Sequence, residues 1–192
     1  MSALAVAAFH DTRLPATARD VEAMVWVRVT GLPEPGAAVS LRVWTPAGAK
    51  VTALIQAAPS TADLLPRAER IDDHTLVVGV GRWSDGVHEI ELRVAVAPRS
   101  PGDEMLVARV GVAAEGGIGG EAVVATTWTE DPPAPSRAVD RTHADLTTGA
   151  SPKPRHVPAA SDTSIGPCPG CGEPADDGDR FCEACGRELP AG

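Results

Sequence analysis

The chain has 192 residues, with 26 acidic against 17 basic side chains for a formal net charge of −9, and 43% of its residues are hydrophobic. That length holds one domain of ordinary size plus a small appendage. No apolar run approaches the roughly 20 residues a bilayer span needs, so a soluble protein with no membrane partner is expected. Only six aromatic side chains are present, four Trp and two Phe with no Tyr. Alanine, valine and leucine must therefore fill the core, with Trp26, Trp44, Trp83 and Trp128 as its large pieces.

Residues 1–20 read as weakly ordered: Leu4 to Phe9 fits half a helix or an extra strand, and Pro15 limits it. The opening Met1-Ser2-Ala3-Leu4 has no basic region ahead of its apolar stretch, so no secretory signal is expected and the compartment is read as cytoplasmic. The body, residues 21–130, reads as strands at 25–29, 40–44, 50–55, 75–80, 87–97, 104–112 and 121–127. Turn residues separate them at 31–36, 46–48, 84–86, 98–102 and 116–120. In the clearest of these, His88, Ile90, Leu92, Val94 and Val96 share one face while Glu89, Glu91 and Arg93 share the other, which is a sheet with one buried side. The pattern predicts a mainly β fold, an antiparallel immunoglobulin-like β-sandwich of about seven strands. Long crossover helices, which a parallel α/β fold would need, are missing. By strict alternation Trp44 shares a face with Arg42, yet its bulk in a chain so poor in aromatics leads us to expect a bulge or an inter-sheet edge that buries it.

Between residues 56 and 74 the alternation lapses, and Pro59 to Pro66 fits a capped single turn in a loop at the sandwich edge. Residues 131–164 are proline-rich and predict a flexible linker, with a short helix fitting 136–146.

Residues 165–190 hold all four cysteines of the chain, Cys168, Cys171, Cys182 and Cys185, in the spacing C-x2-C-x10-C-x2-C. This spacing fits a closed four-thiolate zinc ribbon with one structural zinc ion. Gly172 and Gly186 follow each second cysteine and let the backbone curl so that amides point at the sulfurs. Disulfides would need an oxidising compartment, and a redox C-x-x-C would need a strand before it and a helix after it. Iron fits an S4 site chemically as well. From residue 161 onward seven acids face only Arg180 and Arg187. Such a module repels phosphates, which argues against nucleic acid and for a protein partner. Arg180 and Arg187 either soften the charge of the cluster or sit in solvent. With few apolar residues of its own, the ribbon is expected to hang on its tether and unfold apart from the sandwich.

No hydrolase, zincin, P-loop or dinucleotide motif is present. His88 reads as a satisfied core histidine, His74 beside Asp72 and Asp73 as surface charge pairing, and His10, His143 and His156 as lying in segments that no scaffold fixes. The chain is therefore read as a noncatalytic adaptor and not an enzyme. The alternative is a small-ligand-binding protein or hydrolase with a sandwich-end pocket near His74, Asp85 and His88.

Five short stretches carry a resemblance: Leu41-Arg42-Val43-Trp44-Thr45-Pro46, Asp63-Leu64-Leu65-Pro66-Arg67, Gly81-Arg82-Trp83-Ser84-Asp85-Gly86-Val87-His88-Glu89, Gly102 to Val110, and Trp128-Thr129-Glu130-Asp131. In this order they resemble the β-rich region that follows the von Willebrand factor type A domain in a group of actinobacterial proteins, many of which finish in a cysteine zinc ribbon like Cys168 to Gly186. The Asp-x-Ser-x-Ser cation loop of the type A domain is absent here, so the resemblance transfers no cation-dependent ligand site to any residue of this chain. It implies the accessory portion without the type A domain itself.

Overall fold

The computed structural model describes residues 3–32, 36–130, 137–139, 164–176 and 179–189. Two six-stranded sheets pack face to face. The elements in chain order are β1 (Ala3–Asp11), β2 (Arg13–Pro15), β3 (Asp20–Thr30), β4 (Ala37–Trp44), β5 (Lys50–Ala58), β6 (Ala62–Asp63), a 3-10 turn (Leu65–Arg67), β7 (Glu69–Arg70), β8 (Thr75–Trp83), β9 (Gly86–Ala95), β10 (Glu104–Ala114), β11 (Ile118–Thr129), β12 (Arg137–Val139), β13 (Ser164–Pro167) and β14 (Pro174–Asp176). The first sheet runs β12-β1-β3-β9-β5-β6 and the second β2-β11-β10-β4-β8-β7, while β13 and β14 form a hairpin of their own. All pairings are antiparallel except that of β2 with β11. No helix among the described residues is long and apolar enough to cross a membrane.

Alternation builds the core. In β3, Val21, Ala23, Val25, Val27 and Val29 turn inward and are buried, while Glu22 and Arg28 are exposed. Their counterparts in β9 are His88, Ile90, Leu92 and Val94, and the second sheet answers with Leu41, Val43, Val110, Val112, Val124 and Trp128. Every one of the seven expected strand segments forms, and all but β9, which ends at Ala95 and not at residue 97, are longer than expected.

Of the two readings open for Leu4 to Phe9, half a helix or an extra strand, the structure forms the strand. Leu4, Val6, Ala8 and His10 of β1 are buried, and β1 pairs with β3 along eight positions. The chain then crosses between sheets, with the Thr127 N–H donating to the Thr12 carbonyl at 2.9 Å before β2 joins β11. β11 approaches β1 so closely that a Cβ on Gly120 would sit 2.8 Å from Val6 Cγ2. His10, assigned from sequence to a segment without a scaffold, is buried here with Nε2 2.7 Å from the Ala125 carbonyl.

Arg137–Val139 pair with the edge of β1 as a strand, where a helix was expected over 136–146. The rest of that expected helix, and His143 and His156, lie outside the described residues. In the lapse of alternation after β5, Asp63 Oδ1 accepts from the Leu65 N–H at 3.1 Å and opens the 3-10 turn.

Two of the four tryptophans are not core pieces. Trp83 and Trp128 are buried, at 3% and 0% exposure. Trp26 and Trp44 are half-buried on the outer faces. The register shift in β4 falls between Val39 and Ser40, not at Trp44, so alternation keeps the indole beside Arg42 and outside.

Candidate metal centre

The four cysteine sulfurs lie within 4.8 Å of one another, with Cys168 Sγ 3.7 Å from Cys185 Sγ and Cys171 Sγ 3.6 Å from Cys182 Sγ. Zn–S bonds of about 2.3 Å in a tetrahedron put sulfurs about 3.8 Å apart, whereas a disulfide would bring two of them to about 2.05 Å. All four are free thiols. The geometry is that of a structural zinc site, and among the described residues no other group of three or more His, Cys, Asp or Glu converges in this way.

Each C-x2-C pair is built by the same backbone bonds. The Gly172 N–H donates to the Cys168 carbonyl at 2.8 Å, and the Gly186 N–H donates to the Cys182 carbonyl at 2.9 Å. The Cys168 N–H donates to the Glu173 carbonyl at 2.7 Å, and the Cys182 N–H donates to the Arg187 carbonyl at 2.8 Å. Gly172 and Gly186 take left-handed φ values of 80° and 71°, which side chains resist. The result is two knuckles with the same backbone bonds, whose sulfurs converge within 4.8 Å.

Electrostatics favours a cation at that point. Burial pushes the Cys182 thiol up and the Cys185 thiol up to about 12. Burial raises Cys168 too, but N–H donors of Gly170 and Cys171 and the thiols of Cys182 and Cys185 outweigh it and hold Cys168 at about 7. One sulfur is thus ready to ionise while those of Cys182 and Cys185 resist, and a divalent metal removes that resistance by supplying the compensating charge.

The ribbon does not hang free, contrary to its expected independence. Glu104 to Ala108 of β10 have β11 on one side, but β4 pairs with β10 only from Arg109 onward. The second knuckle takes the vacant place. The Leu106 N–H donates to the Gly186 carbonyl at 2.9 Å, Met105 bridges to Arg187, and the Ala47 N–H donates to the Ala184 carbonyl at 3.0 Å. A Cβ on Gly186 would meet the Leu106 carbonyl oxygen at 2.5 Å and Pro46 at 3.0 Å. Leu106 alternates with Met105 and Val107 of the core and so faces outward, yet it is fully buried beside this knuckle. Arg180 pairs with Glu104 at 2.7 Å and Glu188 at 3.3 Å. The Arg187 stem packs on the first knuckle, where a Cβ on Gly170 would sit 2.9 Å from Arg187 Cδ. Neither arginine is simply solvated.

The three residues considered for a sandwich-end pocket do not come together. His74 stacks on Trp44 at one end of β8. At the other end of this nine-residue strand, Asp85 accepts from the Gly31 and Leu32 N–H groups at 2.7 and 2.9 Å and clamps two turns. His88 is buried against Trp83, ring centroids 3.9 Å apart and nearly parallel.

No family model matches the chain, and no curated protein matches it. Among solved structures, a von Willebrand factor type A protein from Catenulispora acidiphila is 33% identical over 50% of this chain and 24% of its own, with a TM-score of 0.46. A DUF4466 family protein from Parabacteroides merdae is 13% identical over 71% of this chain and 45% of its own, with a TM-score of 0.38. AvmM, which catalyses macrocyclization in alchivemycin A biosynthesis, is 9% identical over 67% of this chain and 91% of its own, with a TM-score of 0.36. The chain spans about a quarter of the length of the Catenulispora protein. The resemblance seen in the sequence is therefore met in part, by an overlap with a fraction of one such actinobacterial protein and by described residues that lack the helices of a type A domain. At these scores function has to be read from the residues.

Proposed function

We propose that the protein is a noncatalytic zinc-binding adaptor, in which Cys168, Cys171, Cys182 and Cys185 hold one structural zinc ion. The sandwich, to about residue 130, and the acidic ribbon from about residue 165 then present their surfaces to a protein partner. The observation that carries this reading is the closed set of four sulfurs within 4.8 Å. A tetrahedral metal with four thiolates keeps no open position for water or substrate, so its chemistry is architectural. Thiols that keep a metal suit a reducing compartment, which agrees with a cytoplasmic protein. Between the knuckles and the body, the described residues meet through backbone hydrogen bonds and the Arg180–Glu104 ion pair.

Native mass spectrometry of anaerobically purified protein should find one zinc per chain, and Cys182→Ser should lose it. Paired disulfides, or a chain with no metal, would remove the basis of the proposal.

A further inference from the structure

The outer face of the second sheet carries a groove of about 290 Å³ that the zinc site does not use. Its floor is Gly111 of β10, whose cross-strand neighbours are Arg42 of β4 and Glu121 of β11. One wall is Trp44, backed by His74 with ring centroids 6.2 Å apart and 28° between planes. Glu183 of the ribbon closes one end.

Three observations single out this groove. Glycine inside a strand weakens it, and where it persists another backbone or a ligand often approaches closely. Gly111 has no left-handed φ, and a Cβ there would make only ordinary contact, 3.9 Å from Arg42. Nothing among the described residues demands glycine at this position. Next, the charged groups that the sandwich contributes to it are paired or hydrogen-bonded, with one exception. Arg109 pairs with Glu121 at 3.7 Å, and Asp72 accepts the His74 N–H at 2.7 Å. Arg42 is exposed and, among the described residues, has no carboxylate within pairing distance. Finally, Trp44 keeps its indole half-exposed on this face in a chain with six aromatics.

We propose that the groove binds an extended peptide segment of a protein partner, with Arg42 anchoring a carboxylate side chain, Trp44 stacking an adjacent apolar residue, and Gly111 giving the peptide backbone room to lie on the sheet. The proposal rests on the adaptor reading and names its docking surface. A guanidinium forks onto a carboxylate with two parallel hydrogen bonds, and an indole beside it favours a flat or apolar neighbour. Asp72, Glu121 and Glu183 on the rim repel a polyanion but accept a lysine or peptide N–H. The fitting segment thus carries a single acid between an apolar and a basic residue.

The test titrates the blocked pentapeptide Ala-Phe-Glu-Lys-Ala, and its counterpart with Gln in place of Glu, into the nitrogen-15-labelled, zinc-loaded full chain. Chemical shifts should move at the Trp44 indole and the Gly111 amide. The Gln peptide should bind about tenfold more weakly, and Arg42→Gln should cost the Glu peptide about the same factor with no further loss for the Gln peptide. Arg42 is exposed, so this variant keeps the fold. Equal affinity for the two peptides, an unchanged Arg42→Gln variant, shifts confined to other surfaces, or no binding at millimolar peptide would each overturn the proposal. So would phenylacetate binding more tightly than the peptide, since that marks a small-molecule site. Failure of the groove leaves the zinc stoichiometry standing, whereas a metal-free chain sinks the adaptor reading while Arg42, Trp44 and Gly111, all in the sandwich, still report on the peptide.

Discussion

Burial divides the tryptophans into two pairs of different energetic weight. Trp128 is fully buried, with the Arg99 guanidinium 5.9 Å from its ring, so Trp128→Ala removes core packing and should cost about 3–5 kcal/mol. Trp44 is half-exposed and rests on His74, so Trp44→Ala should cost only about 1 kcal/mol. Urea unfolding of the two variants reads the difference, and equal losses would mean that the outer face is packed like the core. His88 belongs to the same scale. Burial lowers its pKa below the usual 6.5, although the Ser84 carbonyl, 3.2 Å from Nε2, pulls the other way. The Trp83 face would also favour an imidazolium, but Nδ1 is buried without a partner among the described residues, and burial prevails. Because the folded value lies below the unfolded one, the contribution of His88 is complete above about pH 6.5 and is lost as pH falls from there through the folded value. His88→Phe should flatten the fall in stability as pH drops below about 6.5, and an unchanged slope would exclude His88 as its source. Strand alternation alone places His88 inside and Trp44 outside. The expectation of a buried Trp44 erred by letting side-chain size override that period.

At the scale of elements, the second knuckle and β10 act as one piece of sheet. Gly172 and Gly186 both need left-handed backbone, but only Gly186 also lacks room for a Cβ, because the Leu106 carbonyl stands 2.5 Å from where it would be. Gly172→Ala and Gly186→Ala should therefore each weaken their own knuckle, by about 1–2 kcal/mol for the strained φ. Only Gly186→Ala should also release the seam. Hydrogen exchange at the Leu106 and Ala47 amides is the readout: faster in Gly186→Ala and unchanged in Gly172→Ala. If both variants exchange alike, the close approach at Gly186 has no role in docking. The knuckles themselves are legible from the cysteine spacing and the glycines after it. Their docking is not, since backbone N–H and C=O groups make most of it beside the Arg180–Glu104 ion pair, and Met105, Leu106 and Ala47 look like any strand and turn residues. The first strand, left open against half a helix, is only partly legible for a related reason. Ala3, Ala5, Ala7 and Ala8 have weak strand preference, and β1 is a strand because β3 pairs with it and β11 covers it.

For the whole molecule, this seam ties the state of the cysteine cluster to the sandwich as well as to the ribbon. Zinc-ribbon folding free energy is largely metal-binding free energy, so removing the ion unfolds residues that the cysteines alone hold together. Leu106 then loses its cover, the Leu106 and Ala47 N–H groups lose their protein acceptors, and the Glu104–Arg180 ion pair opens. Exposing one buried leucine costs about 1.5–3 kcal/mol, and the freed N–H groups regain water, so hydrophobic burial decides the size of the effect. The two sheets keep their own continuous core and stay folded. Chelation should thus lower the melting temperature of the sandwich by a few degrees without abolishing its cooperative transition, since about 1 kcal/mol moves a domain of this size by roughly 2–8 °C. Calorimetry before and after chelation, and of Cys182→Ser, makes the measurement. An unchanged transition would mean that the knuckle touches β10 without stabilising it. Loss of the transition altogether would mean that the sandwich cannot stand without its ribbon. Lowering the pH should reproduce chelation by competition, because the thiols must be deprotonated to hold the metal and burial resists that ionisation at Cys182 and Cys185.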